Sequence, residues 1–146
     1  LCYYCACNKV ITKHHERAVE YLEALTTEIK LVSEQLGAVQ TLSQLHFGGG
    51  SPTFLSDDEL DGLMDTLRAT FRFAEGGEYA IEVDPRTISR ERIAELRAQG
   101  FNRLSFGVQD FDEKVQGRSI ACKVSSRSTT WWRPPAKRAS SRYRWI

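Results

Sequence analysis

The sequence contains 146 residues with a formal net charge of +1 at pH 7, and 41% of its residues are hydrophobic. This length suits one ordinary domain, and no apolar run approaches the roughly 18 residues that a membrane-spanning helix requires. No stretch near Leu1 combines basic residues, a long apolar segment and a cleavage site, so we predict a cytoplasmic protein without a membrane partner. In that reducing compartment, clustered cysteines indicate metal or redox chemistry before disulfides.

Charge divides the chain into two regions. Residues 1–116 contain 12 Lys and Arg against 19 Asp and Glu, whereas residues 117–146 contain 8 Lys and Arg and no acidic residue. The only methionine is Met64, so Leu1 is not a translation start, and we expect the chain to be a fragment of a longer gene product. We therefore predict a partial core domain over 1–116 and a basic tail over 117–146.

The first half of the chain shows a helix followed by a strand. From about Lys13 to Leu36, apolar residues recur at steps of three and four, which predicts an amphipathic helix that Gly37 ends. Residues 41–47 predict a short strand. This strand runs into residues 48–52, where three glycines, a serine and a proline require a sharp bend or a close approach of the backbone.

The next elements continue this alternation. Ser56 and Glu59 form a capping-box pattern, which predicts the start of a second helical segment that ends at Gly76-Gly77. Residues 78–85 then alternate like a strand, residues 89–99 predict a third helix, and residues 101–109 predict another strand. Alternating helices and strands with short loops indicate an α/β fold with a parallel sheet.

In parallel sheets the functional groups cluster at the carboxyl ends of the strands. The predicted strand ends carry three groups of glycine and polar residues: residues 48–51, then Glu82 and Asp84, then Gln109 and Asp110. Each group also has a structural explanation, since a glycine run can be a plain tight turn, Glu82 and Gln109 can be solvated strand ends, and Asp84 precedes a proline.

Three cysteines near the start, Cys2, Cys5 and Cys7, form a C-x-x-C-x-C pattern. Soft thiolates bind zinc or an iron–sulfur cluster, so this spacing leaves both open. In one alternative, His14 and His15 complete a small zinc site with these cysteines. In another, the tail, where basic residues alternate with Trp and Tyr, is a nucleic-acid-binding extension.

Four segments resemble a known family in their order and separation: LCYYCACNKVIT, LHFGGGSPTFLS, IEVDPRTI and GFNRLSFGVQDFDEKVQ. They closely resemble the oxygen-independent coproporphyrinogen III oxidases (dehydrogenases) of haem biosynthesis, which belong to the radical S-adenosylmethionine superfamily. The resemblance covers residues 1–116 and implies part of a partial βα barrel with parallel strands, truncated at both ends. Haem chaperones of the same superfamily are an alternative, but they generally lack a cysteine that matches Cys7 and differ around GVQDF.

The resemblance also implies roles for individual residues. Cys2 and Cys5 match the second and third ligands of a [4Fe–4S] cluster in the motif C-x-x-x-C-x-x-C, whose first cysteine falls three residues before Leu1, outside this chain. Cys7 matches an additional cysteine that is not a ligand. The positions that contact S-adenosylmethionine in the family match Tyr4, Gly49, Gly50, Ser51, Glu82 and Gln109. No catalytic side chain is assigned in this chain.

In the intact protein, the resemblance implies oxidative decarboxylation of two propionates of coproporphyrinogen III to vinyl groups. A 5′-deoxyadenosyl radical abstracts hydrogen from each propionate side chain, and the product is protoporphyrinogen IX. The implied partners are this substrate, an electron donor and an electron acceptor, with a monomeric parent and no nucleic acid. Because the first cysteine is missing, we expect this chain alone to be inactive.

The tail departs from the resemblance, because the family continues beyond residue 116 with a helix and a strand. One back-translation of the tail, read two nucleotides along, gives an acidic amphipathic helix, a glycine stop and a β-run. We therefore predict that residues 117–146 are frame-shifted or non-native sequence, in which Cys122 is not a ligand.

Overall fold

The computed structural model describes residues 12–84 and 88–106, together with the backbone of residues 144–145. The helices of this described part are α1 (Glu16–Leu36), α2 (Asp57–Thr70) and α3 (Arg90–Ala98). Its strands are β1 (Thr41–Phe47), β2 (Arg72–Val83), β3 (Arg103–Phe106) and β4 (Arg144–Trp145), and a 3-10 turn covers Pro52–Phe54. None of these helices is long and apolar enough to cross a bilayer.

The strands form one sheet in the order β1-β2-β3-β4, and every neighbouring pair is parallel. Helix α2 connects β1 to β2, and helix α3 connects β2 to β3. Parallel neighbours need such crossover connections, because a tight hairpin can join only antiparallel strands. The predicted α/β fold with parallel strands is confirmed. In the tail, the backbone of Arg144–Trp145 pairs with Ser105 and Phe106 of β3.

Helix α2 begins where the capping box predicted it. The Ser56 hydroxyl accepts a hydrogen bond from the Glu59 backbone N–H at 3.3 Å, and the Glu59 carboxylate accepts one from the Ser56 N–H at 2.8 Å. Helix α3 has a similar start, since the Ser89 hydroxyl accepts from the Arg92 N–H at 3.1 Å. These bonds satisfy backbone donors that a helix leaves free at its first turn.

Helix α1 begins at Glu16, three residues later than the predicted start at Lys13. The His14 backbone N–H donates to the Thr12 hydroxyl at 2.9 Å, so a local turn precedes the helix. The two histidines therefore lie at the entrance to the helix, with His15 as its N-cap residue.

Strand β2 begins earlier than predicted, at Arg72 and not after Gly77. Phe73 lies opposite Leu42 and Glu78 lies opposite Gln44, so five residue steps on β2 span two on β1. The expectation that the second helical segment extends to Gly76-Gly77 was wrong, because the intervening residues form a bulge within the strand.

The bulge is closed by the side chain of Tyr79. Its hydroxyl donates to the Ala74 carbonyl at 2.8 Å and lies 3.3 Å from the Leu42 carbonyl. Gly76 has φ 72°, a left-handed conformation that glycine adopts at little cost. Tyr79 and Gly76 thus stabilise the bulge that accommodates the additional residues of β2.

The two faces of the sheet differ in composition. Alternate residues of a strand point to opposite faces. One face carries Ile81 and Val83 of β2 with Leu104 and Phe106 of β3, all buried in one cluster with residues of α2 and α3. The other face carries, at the alternate positions, His46, Ala80, Glu82, Arg103 and Ser105.

Candidate cofactor site

The carboxyl ends of β1 and β2 bring the glycine run next to Glu82. Phe47, the last residue of β1, pairs with Ile81, so residues 48–51 leave the sheet beside Glu82. The Gly49 backbone N–H donates to Oε2 of Glu82 at 3.2 Å. Two positions that the sequence singled out separately are therefore in direct contact at the same edge of the sheet.

A histidine completes this contact. Nε2 of His46 lies 3.4 Å from Oε1 of Glu82, within ion-pair distance. His46 was not among the predicted site residues, although its position two residues before the glycine run could have indicated it. The register of β1 with β2 places His46 on the face of Glu82.

The glycines of the run have different surroundings. Gly49 has φ 107°, and no atom lies within 4 Å of the position that a Cβ would occupy, so its backbone is open to a ligand. A Cβ on Gly48 would instead lie 2.6 Å from Nε2 of His46 and 3.2 Å from Cδ of Glu82. The missing side chain at Gly48 thus leaves room for the His46 and Glu82 side chains at the surface, whereas Gly49 has open space on that side of its backbone. Gly50 is exposed.

Ser51 links the glycine run to the 3-10 turn. Its carbonyl accepts a hydrogen bond from the Phe54 N–H at 2.8 Å, and its hydroxyl makes no capping bond to the turn. Ser51 is exposed. The backbone of Ser51 therefore holds the turn while its hydroxyl is not used to cap it.

The 3-10 turn contacts His15, the residue that caps the start of α1. The His15 ring lies 5.1 Å from the ring of Phe54, and Nε2 of His15 lies 2.9 Å from Oε2 of Glu59. His14 lies 3.1 Å from the Glu16 carboxylate. Both histidines of the zinc alternative thus contact carboxylates. No group of three potential metal ligands occurs among the residues that the structure describes.

The Glu59 carboxylate contacts both His15, at the start of α1, and Ser56, at the start of α2. Burial alone would raise the pKa of Glu59, but the backbone N–H and hydroxyl of Ser56, together with His15, lower it below its usual value. Hydrogen bonds to the ionised form stabilise the carboxylate. Glu59 therefore has a structural explanation as an ionised helix cap.

Helix α3 holds the other side of the same loop. Nη2 of Arg92 donates to the Leu55 carbonyl at 2.7 Å, and its guanidinium pairs with the Asp57 carboxylate. Burial lowers the pKa of Arg92, and the nearby Glu95 opposes this shift. Contacts from α1 and α3 thus fix the segment that follows the glycine run.

Several predicted site residues lie outside the described residues: Cys2, Tyr4, Cys5, Cys7, Gln109 and Asp110. Of the predicted cofactor contacts, the described part of the chain contains Gly49, Gly50, Ser51 and Glu82. It brings Gly49 and Glu82 into contact, and Gly50 and Ser51 follow in the same loop.

Comparison with known proteins gives a consistent result. A family model described as the Radical SAM superfamily matches residues 1–131. The oxygen-independent coproporphyrinogen III oxidase of Pseudomonas aeruginosa is 52% identical over 118 residues, which is 80% of this chain and 26% of that protein. The oxidase of the same name from Escherichia coli K12 is 49% identical over 116 residues, covering 80% of this chain and 25% of the relative.

A solved structure agrees with the sequence relatives. Coproporphyrinogen III oxidase from Escherichia coli, described as a radical SAM enzyme, superposes with a TM-score of 0.76 at 46% identity and covers 84% of this chain and 28% of its own. The chain spans about a quarter of the length of the curated relatives it matches. These similarities support the oxidase interpretation over the haem-chaperone, zinc and nucleic-acid alternatives. The chain belongs to the radical SAM superfamily.

Proposed function

We propose that this chain carries the cofactor-binding part of an oxygen-independent coproporphyrinogen III oxidase. The whole protein would convert two propionates of coproporphyrinogen III to vinyl groups, giving protoporphyrinogen IX. The observation that carries the proposal is the contact between Gly49 and Glu82 at the strand ends, in a chain 46% identical to a solved oxidase of this kind.

The described residues fit S-adenosylmethionine. The backbone of Gly49 is open and lies beside a carboxylate whose side chain is 39% exposed, so one edge of the sheet offers both a peptide surface and hydrogen-bond acceptors. Ribose hydroxyls are donors that a strand-end carboxylate binds well. Together with a [4Fe–4S] cluster, S-adenosylmethionine supplies radical chemistry when bound.

The roles of this chain's residues follow from their chemistry. We assign Cys2 and Cys5 as thiolate ligands of the cluster. Glu82 accepts hydrogen bonds from the ribose, and the backbone along Gly49 and Gly50 approaches the methionine group. The remaining proposed contacts to S-adenosylmethionine are Tyr4, Ser51 and Gln109. These residues bind and orient the cofactor, and no proton transfer is assigned to them.

The proposal extends to the domains and partners. Residues 1–116 form a partial core domain, and residues 117–146 are frame-shifted or non-native sequence. The intact protein acts in the cytoplasm as a monomer, with an electron donor, an electron acceptor and coproporphyrinogen III as its partners. The 146-residue chain alone is expected not to cleave S-adenosylmethionine, because it supplies two of the three cluster thiolates.

The ligand assignment can be tested by adding one cysteine. A chain extended by Cys-Gly-Gly before Leu1, here named the Cys-extended chain, restores the C-x-x-x-C-x-x-C motif, and a Ser-Gly-Gly extension is its matched control. After anaerobic reconstitution with iron and sulfide, the Cys-extended chain should show the absorption and reduced EPR signal of a [4Fe–4S] cluster. S-adenosylmethionine should change that EPR signal, and the Ser extension should lose most of it.

Two further variants separate ligands from neighbours in the Cys-extended chain. Cys5→Ser should remove the cluster signal, and Cys7→Ser should keep it, because Cys7 is proposed not to be a ligand. The proposal is wrong if Cys5→Ser and Cys7→Ser behave alike, or if S-adenosylmethionine leaves the EPR spectrum of the Cys-extended chain unchanged.

A further inference from the structure

We propose that His46 is a positioning residue that orients the Glu82 carboxylate toward the ribose of S-adenosylmethionine. This inference rests on the proposed function, in which Glu82 binds that ribose. Three observations support it: the register of two strands, the separate partners of the two carboxylate oxygens, and the packing around Gly48.

Strand register places the two side chains on one face. His46 of β1 pairs with Ala80 of β2, and Glu82 lies two residues further toward the carboxyl end of its strand. Residues two apart on a strand share a face, so Glu82 stands on the side of the sheet that His46 occupies. The imidazole thus lies next to the proposed cofactor contact and not among the helices.

The two carboxylate oxygens have different partners. Oε1 of Glu82 lies 3.4 Å from Nε2 of His46, and Oε2 accepts the Gly49 N–H at 3.2 Å. A contact at one oxygen leaves the carboxylate free to rotate about its terminal bond, whereas contacts at both oxygens favour one orientation. A carboxylate can accept several hydrogen bonds, so capacity remains for ribose hydroxyls.

The packing around Gly48 supports the same arrangement. A Cβ on Gly48 would lie 2.6 Å from Nε2 of His46 and 3.2 Å from Cδ of Glu82. Any larger residue at this position would push the imidazole or the carboxylate away from the other. The absence of a side chain at Gly48 therefore leaves the space in which the histidine reaches Glu82.

Exposure indicates what the contact does. The side chains of His46 and Glu82 are 51% and 39% exposed. Polar contacts this open to water contribute little to folding stability. The main consequence of the His46 contact is therefore the direction of the carboxylate, which remains accessible to a ligand.

The first test needs no cofactor, since it reads the Gly49 amide by NMR in the full 146-residue chain. His46→Ala should move the Gly49 amide resonance and speed its hydrogen exchange, because the Glu82 carboxylate loses one of its two fixed contacts. His46→Gln keeps an N–H donor and should restore much of the original signal. The matched control is His14→Ala, which removes another exposed imidazole, 3.1 Å from Glu16, and should leave Gly49 unchanged.

The second test asks whether the effect reaches the ribose. In the reconstituted Cys-extended chain, His46→Ala should weaken binding of S-adenosylmethionine by about three- to tenfold. This corresponds to the typical contribution of one hydrogen bond, here one between the ribose and Glu82. His46→Ala should leave unchanged the binding of an S-adenosylmethionine analogue that lacks the 2′- and 3′-hydroxyl groups of the ribose. His46→Gln should recover affinity for S-adenosylmethionine itself.

The outcomes separate the two proposals. An unchanged Gly49 amide in His46→Ala, or equal losses of affinity for the two ligands, overturns the positioning role of His46. If S-adenosylmethionine leaves the cluster of the unsubstituted Cys-extended chain unperturbed, the proposed function fails. The Gly49 amide would still show whether His46 orients Glu82.

Discussion

The two faces of the sheet have different roles, although the same strands form both. On one face Ile81, Val83 and Leu104 are buried against helices α2 and α3. On the other, His46 and Glu82 are partly open to water and reach the glycine loop. Neighbouring residues of β2 therefore belong alternately to the core and to the proposed cofactor site.

This difference indicates how the chain can keep its fold while presenting polar groups to a ligand. Burial of apolar surface supplies most of the folding free energy, and it depends on the helix-covered face. The polar face adds little to stability and can be shaped by binding. Substitutions on the two faces should therefore have separable effects.

The largest expected effect comes from the core. Ile81 is fully buried, so Ile81→Ala should lower the free energy of unfolding by about 2–5 kcal/mol through lost apolar contacts and a cavity. The adjacent Glu82→Gln is nearly isosteric and partly exposed, so its effect on unfolding should stay within about 0.5 kcal/mol. Urea denaturation of both variants makes the comparison. Similar losses in the two would show that the faces are not separable.

Two glycine substitutions should change stability in opposite directions. Gly49 has φ 107°, so Gly49→Ala should cost about 1–2 kcal/mol of stability through backbone strain alone. Gly62 lies within α2 with open space around it, and Gly62→Ala should instead add about 0.5–1 kcal/mol because alanine favours helices. Thermal unfolding of the two variants should shift in opposite directions. A stabilising Gly49→Ala would contradict the assigned backbone conformation.

The helix side can also be tested at its cap. Ser56→Ala removes the hydroxyl that accepts the Glu59 N–H and should destabilise the protein by about 0.5–2 kcal/mol. Ser33→Ala is the matched control, since the Ser33 hydroxyl donates to the Lys30 carbonyl within α1. That change should stay within about 0.5 kcal/mol, because alanine suits a helix interior. Equal losses in chemical denaturation would count against the capping box as the start of α2.

The smallest expected effect is a dependence of stability on pH at Glu59. The pKa of Glu59 is lowered in the folded chain, so its contribution is complete above the ordinary glutamate pKa of about 4.3 and is lost as the pH falls through the lowered value. Glu59→Gln keeps a residue suited to the capping box and removes the charge. The free energy of unfolding, measured from pH 6 down to pH 3, should therefore fall less steeply in Glu59→Gln than in the unsubstituted chain. An unchanged slope would contradict the lowered pKa.

Local patterns predicted much of the fold. Strand β1 occupies residues 41–47 as predicted, and Ser56 begins α2, because both depend on residues close in sequence. The early start of β2 was missed, because its bulge is closed by Tyr79, whose hydroxyl reaches back to Ala74 and lies near Leu42 of the neighbouring strand. A contact between two strands, such as that of Tyr79 with Leu42, leaves no periodic signal in the sequence of either strand.

At the candidate site, too, local patterns were predicted and contacts between strands were not. Sequence patterns placed the glycine run and Glu82 at strand ends, and the structure brings Gly49 and Glu82 together there. The part of His46 was missed because its position relative to Glu82 depends on the register between β1 and β2, which the sequence of either strand alone does not specify. His15 was considered as a zinc ligand, whereas its ring lies against Glu59 and Phe54.

We propose that the polar edge near Glu82 binds S-adenosylmethionine beside a cluster held by Cys2 and Cys5. The most direct measurement is the EPR spectrum of the reduced, reconstituted Cys-extended chain, recorded before and after addition of S-adenosylmethionine. We expect a changed spectrum in the unsubstituted Cys-extended chain, and we expect Glu82→Gln to need a higher concentration of S-adenosylmethionine for the same change. An unchanged spectrum, or the same cofactor requirement in both chains, would contradict it.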